Sequence, residues 1–111
     1  MDDQTFEVYY RLIKLAMASE KITYSELAKQ VGLPSHGHQL GTRLGKVLDR
    51  INQYEHSHGR PLISALVVSA AYGSPGEGFY DIARYLERMS PSESEGEFWQ
   101  KELENIKKTW S

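Results

Sequence analysis

The stretch Ile22–Asn52 (ITYSELAKQVGLPSHGHQLGTRLGKVLDRIN) constrains the fold most, because it holds two helical patterns separated by a few residues. Thr23 followed three residues later by Glu26 has capping-box spacing, in which hydroxyl and carboxylate each satisfy an amide that a helix N-terminus leaves free. Leu27, Ala28 and Val31 then give a short helix one apolar face, and Gly32 suits the left-handed position that closes it. Beyond Leu33-Pro34-Ser35, the residues Leu40, Leu44, Val47, Leu48, Ile51 and Tyr54 recur at steps of three and four. That spacing predicts a longer amphipathic helix, fraying near Tyr54–Gly59. Together these elements make a helix-turn-helix unit over about residues 22–56. Such units often place their second helix in a DNA groove, but helical hairpins that bind nothing share the pattern, and the pattern alone leaves both open.

Before this unit, Phe6, Tyr9, Tyr10, Ile13, Leu15 and Met17 predict a first helix over Asp3–Ser19, with apolar content suggesting burial on more than one side. Ile22-Thr23-Tyr24 reads as slightly extended. After it, Arg60–Ser69 is a β-branched apolar run bounded by Gly and Pro, which predicts a buried strand. Tyr72–Tyr80, with three glycines and a proline, predicts a tight loop, so that strand and Gly-rich loop occupy residues 61–80. Ile82, Ala83, Leu86 and Met89 continue as a helix over about 79–89. Phe98, Trp99, Leu103, Ile106 and Trp110 mark an amphipathic terminal helix over 95–110, its aromatics clamped over the core or offered to a protein partner. Gly41 and Gly45, four apart on one helical face, predict close approach by another helix or by a nucleic-acid backbone.

With 111 residues the chain is sized for one domain with a modest core. The absence of cysteine excludes disulfides, thiolate catalysis and cysteine-based zinc sites. The acidic start MDDQTFEVYY lacks signal-peptide order, and no apolar run approaches the roughly 20 residues a membrane span needs; both point to a cytoplasmic protein. The formal charge of −2 is unevenly distributed. Residues 21–60 carry six basic side chains (Lys21, Lys29, Arg43, Lys46, Arg50, Arg60) against three acidic (Glu26, Asp49, Glu55), a local net of +3. An excess on the helix-turn-helix unit is what phosphate recognition requires, although a solvated face of that size looks the same.

Chemistry is thinly signposted. His36/His38 and His56/His58 form two H-x-H pairs, but a helix of about twenty residues separates them by roughly 30 Å, so one metal cannot bridge both. No metal and no cofactor is expected. Ser64 lacks the G-x-S-x-G arrangement of an activated serine. The Gly73–Gly78 loop lacks phosphate-loop order and carries Glu77 at its centre. A hydrolase would have to use Ser64 or the carboxylates of Asp49, Glu77 and Asp81, and no spacing supports it.

Thr23-Tyr24-Ser25-Glu26-Leu27-Ala28 resembles the T-Y-G-E-[IL]-A opening of the helix-turn-helix in O6-alkylguanine alkyltransferases and their catalytically dead alkyltransferase-like relatives. The resemblance runs over about Ile22–Tyr80. His38-Gln39-Leu40-Gly41 falls where that family has R-A-V-G, Leu62–Val68 resembles the strand bearing P-C-H-R-V-V, and Gly73–Tyr80 resembles the loop after it. Ser64 stands at the cysteine position, so alkyl transfer to this chain is excluded, and His38 replaces the arginine that in the family enters the base stack. Tyr24, which in the family crowds a target phosphate and helps rotate the nucleotide, is present. Minor-groove binding with nucleotide flipping is what the resemblance implies. The segment PLISALVVSAAYGSPGEGFYDIARYL also resembles segments of small bacterial proteins found with HNH-type nucleases and mobile or defence genes.

The resulting expectation is a mainly α (α+β), winged-helix-like domain with a small sheet and additional C-terminal helices. Its core would collect Phe6, Ile13, Leu27, Val31, Leu44, Leu48, Ile51, Leu66, Val68, Ile82 and Leu86. The function expected is non-enzymatic binding of duplex DNA. Gln39, Thr42, Arg43 and Lys46 would face a groove from the helix starting near His38, and Tyr24 and Ser25 would meet phosphate at a helix N-terminus. The alternative is a protein-interaction or accessory module of a nucleic-acid-processing or phage-defence system.

Overall fold

A computed structural model describes residues 1–34 and 43–111 of the chain. It is mainly helical: α1 (Asp3–Ala18), β1 (Ile22–Thr23), α2 (Tyr24–Gln30), α3 (Gly45–Ser57), a 3-10 turn (Ile63–Leu66), β2 (Val67–Val68), α4 (Glu77–Tyr85) and α5 (Glu95–Trp110). The Asp2 carboxylate, accepting from the Thr5 amide at 2.7 Å, caps α1. Val8, Tyr9, Leu12 and Ala16 recur at helical spacing and bury one line of it. Phe6 lies about a quarter-turn away and is 62% exposed, so it does not join the core as expected. Ile13, Val31 and Leu86 pack at the core's margin, and the other expected core residues are buried.

The Thr23 hydroxyl accepts from the Glu26 amide at 3.2 Å and caps α2. Gly32, at φ +72°, closes α2 with the Leu33 amide bonded to the Ala28 carbonyl at 2.9 Å. The Glu26 carboxylate, expected to turn back to Thr23, instead lies 3.5 Å from Gln30 Nε2, while the Ile22–Thr23 backbone pairs in parallel with Val67–Val68. A reciprocal capping box does form at α5, between Ser94 and Glu97. The helix α3 ends at Ser57, within the stretch Tyr54–Gly59 where fraying is expected. A Cβ on Gly45 would meet nothing within 4 Å among the described residues, so no described helix approaches it closely; Gly41 lies outside them.

The apolar run does not form the expected strand over residues 60–69. Residues 61–68 are all buried, but only Val67 and Val68 have a ladder partner. A backbone buried on every side must satisfy its polar groups some other way. It does so through the 3-10 turn, with the Ala65 amide on the Leu62 carbonyl at 3.1 Å, and through side chains of the packed helices. The Glu102 carboxylate accepts from the Leu62 amide at 2.7 Å, and Trp99 Nε1 donates to the Ala65 carbonyl at 2.9 Å. The run is thus a central peg held by α1, α3 and α5. The predicted loop over Tyr72–Tyr80 ends earlier than expected, because Gly76 caps α4 and Glu77–Tyr80 form its first turn; α4 stops at Tyr85 rather than 89. Phe98 is fully buried against Phe79, their centroids 5.7 Å apart, which clamps α5 over the core. Among the described residues no helix is long and apolar enough to cross a membrane.

Candidate functional site

A cleft of about 460 Å³ opens where the start of α2, the inner face of α3, the 3-10 turn and the first turn of α4 meet. Tyr24 enters from α2, Lys46, Asp49 and Asn52 from α3, Ser64 from the turn, and Glu77 and Phe79 from α4. The Tyr24 hydroxyl accepts from the Gly76 amide at 2.8 Å, which ties α2 to the glycine loop across 52 residues of sequence. Burial pushes the Tyr24 phenol above its ordinary range, with the Gly76 amide opposing. The hydroxyl stays neutral at pH 7 and keeps a proton to donate.

Ser64, where the alkyltransferase resemblance has its cysteine, is buried and doubly held by Asn52. Asn52 Nδ2 donates to Ser64 Oγ at 2.7 Å, and the Ser64 amide lies 3.4 Å from Asn52 Oδ1. An amide cannot accept the proton of an attacking hydroxyl, so this pairing positions Ser64 without activating it. Asn52 had no part in the sequence reading, although a signal existed: it falls on the Leu48–Ile51–Glu55 face of α3, where a polar side chain must find a buried partner.

The carboxylates are spread around the cleft. Burial raises the Asp49 pKa, and the negative charge of Asp81 adds to that. Burial, then Glu95, Tyr24 and Glu77, pushes the Tyr80 phenol upward. No three His, Asp or Glu side chains among the described residues are grouped to hold a metal ion. His56 Nδ1 lies 3.2 Å from Arg88 Nη1, and His58 Nδ1 lies 2.9 Å from the Tyr54 carbonyl oxygen, so this H-x-H pair has separate partners.

The raised Asp49 pKa has a sign that can be checked. A carboxyl whose folded pKa exceeds its unfolded value binds more protons when folded, so stability falls as pH rises through the interval between the two. Asp49→Asn is expected to unfold at higher temperature than the parent at pH 7 and to converge with it below about pH 4, the ordinary Asp range. Thermal melts across that range test it, and a gap that stays constant with pH would assign the effect to something other than Asp49 ionisation.

Of the residues expected to contact DNA, Tyr24 lines the cleft, its hydroxyl accepting from the Gly76 amide and keeping its own proton. Ser25 is half-buried beside it in the first turn of α2. Arg43 and Lys46 are exposed at the start of α3, Lys46 on the rim of the cleft. His38, Gln39 and Thr42 lie outside the described residues, as do His36 and Gly41. Of the α5 aromatics offered as a partner surface, Phe98 is buried, Trp99 is bonded to Ala65, and Trp110 is half-buried with the Arg60 guanidinium 5.9 Å from its ring centroid. No protein-family model, curated protein or solved structure matches this chain.

Proposed function

We propose that this chain is a non-enzymatic DNA-binding module of winged-helix, alkyltransferase-like type. What supports the reading is convergence. Tyr24, Ser64 and the Gly76–Gly78 loop, the separate pieces of sequence that carry the resemblance, all line one cleft. The division of charge fits the same picture. Arg43 and Lys46 at the exposed start of α3 would neutralise phosphates, whereas Asp49 and Glu77 inside the cleft would repel them. The cleft therefore suits the edge of a base, with Tyr24 and Phe79 as aromatic walls and the carboxylates as acceptors for N–H groups.

Fluorescence anisotropy with a plain duplex and one containing O6-methylguanine, at low and moderate salt, tests the reading. Arg43→Ala is expected to weaken binding of both duplexes and to lower the slope of log affinity against log salt by about one unit. Tighter binding to the lesion would identify a lesion sensor, and equal salt-dependent binding a general DNA-binding module. An intact fold with no binding at low salt would end the proposal.

A further inference from the structure

The apolar content of α1 suggests burial on two sides, yet the described residues cover only one. Phe6, Tyr10 and Met17 are 62%, 55% and 60% exposed, and Ile13 between them is only partly covered. At 3.6 residues per turn, these four fall within about 60° of one another, in a line about 16 Å long. The steps of four, three and four are those of alternating d and a positions in a heptad seam. Exposed apolar side chains scattered singly need no explanation. Here, of seven large hydrophobics exposed among the described residues, three share this line.

We infer that this stripe pairs with the same stripe on a second copy of the chain, the two α1 helices running antiparallel about a two-fold axis. Charge decides both the partner and the direction. The solvent-side flank of the seam carries Glu7 and Lys14, one heptad apart at e positions, while its other flank holds Tyr9 and Ala16, both buried in the chain's own core. In a parallel pair each e position faces a g position of the partner, and those are occupied here by buried, uncharged residues. In an antiparallel pair e faces e. Glu7 then meets the partner's Lys14 and Lys14 meets the partner's Glu7, giving two ion pairs from one self-complementary surface. The same register sets Phe6 against the partner's Met17, a sulfur–aromatic contact, and Tyr10 against the partner's Ile13. Within the chain these charges are only loosely held: Glu7 lies 3.4 Å from Arg11 across an exposed i,i+4 pair, and Lys14 Nζ lies 5.3 Å from the Tyr10 ring centroid. A four-residue seam buries less than a standard interface, so the dimer is a weak, reversible one.

Sedimentation of the full chain up to about 1 mM, where even a millimolar Kd is visible, tests this. A reversible monomer–dimer equilibrium is expected, abolished by Phe6→Glu with unchanged circular dichroism, since Phe6 contributes little to the core. Glu7→Lys alone should weaken the dimer about tenfold by turning both ion pairs into repulsions, and the Glu7→Lys/Lys14→Glu exchange should restore it to within about twofold. A monomer at every concentration overturns the inference. So does a dimer indifferent to Phe6→Glu, and one disrupted by Phe6→Glu but either insensitive to Glu7→Lys or not restored by the Glu7→Lys/Lys14→Glu exchange overturns the antiparallel register.

Discussion

Glu102→Ala is expected to lower the unfolding free energy by about 3 kcal/mol, roughly 10 °C in melting temperature for a chain of this size. Glu102 is 2% exposed, and its carboxylate both accepts from the Leu62 amide at 2.7 Å and lies 3.6 Å from Arg88 Nη2. Leu62 is fully buried, so truncation strands its amide without water or carbonyl, and a buried donor left unmade costs about 1–3 kcal/mol. Losing the partner of Arg88 adds less, because that side chain is 22% exposed and can turn outward. Glu102→Gln keeps an oxygen for the amide and should recover about half the loss. Chemical denaturation of the two variants separates these contributions. If both unfold at the same midpoint, the amide bond contributes nothing and the charge accounts for the whole effect.

A loss of about 3–5 kcal/mol is expected for Arg60→Ala, because it leaves a buried carboxylate without its counter-charge. Glu55 is fully buried, and its Oε1 takes both the Arg60 Nε hydrogen bond at 2.9 Å and the Tyr9 hydroxyl. Its Oε2 has no partner among the described residues, so no second contact compensates. The same site pushes the Tyr9 phenol upward, through burial first and then the hydrogen bond and charge of Glu55. Arg60 also lies 5.5 Å from the Tyr54 ring centroid, but that contact is exposed and minor. The diagnostic measurement is a double-mutant cycle with Glu55→Leu. The pair removed together should cost less than Arg60→Ala alone, since the apolar replacement needs no counter-charge. Additive losses would mean that the ion pair does not couple the two positions.

Both predictions concern buried carboxylates that the sequence presents as ordinary acidic residues on amphipathic helices. Spacing shows which face of α3 and α5 turns inward, and Glu55 and Glu102 do fall on those faces. What spacing cannot show is that the opposite surface is a backbone segment in need of acceptors. The run Pro61–Val68 is apolar and β-branched enough to read as a strand, and its burial is legible for the same reason. Its conformation depends on partners, and among the described residues only β1 offers a ladder, two residues long. The remainder becomes a 3-10 turn whose polar groups are taken up by Asn52 of α3 and by Trp99 and Glu102, one turn apart on α5.

The cleft divides in the same way. Tyr24, Ser64, Gly76 and Glu77 are each visible as local features, and the resemblance places the first two in one functional unit. Their meeting with Asn52 and Phe79 around one opening is a product of packing alone. Local chemistry by itself determined the helices, through apolar steps of three and four, and the N-cap at Thr23 and the closing Gly32, through hydrogen bonds a few residues long. The tertiary structure alone decided which of α1's two apolar lines is buried. Val8, Leu12 and Ala16 face the peg while Phe6, Tyr10 and Met17 face outward, because one helix face can meet the core while hydrophobicity alone marks both lines equally.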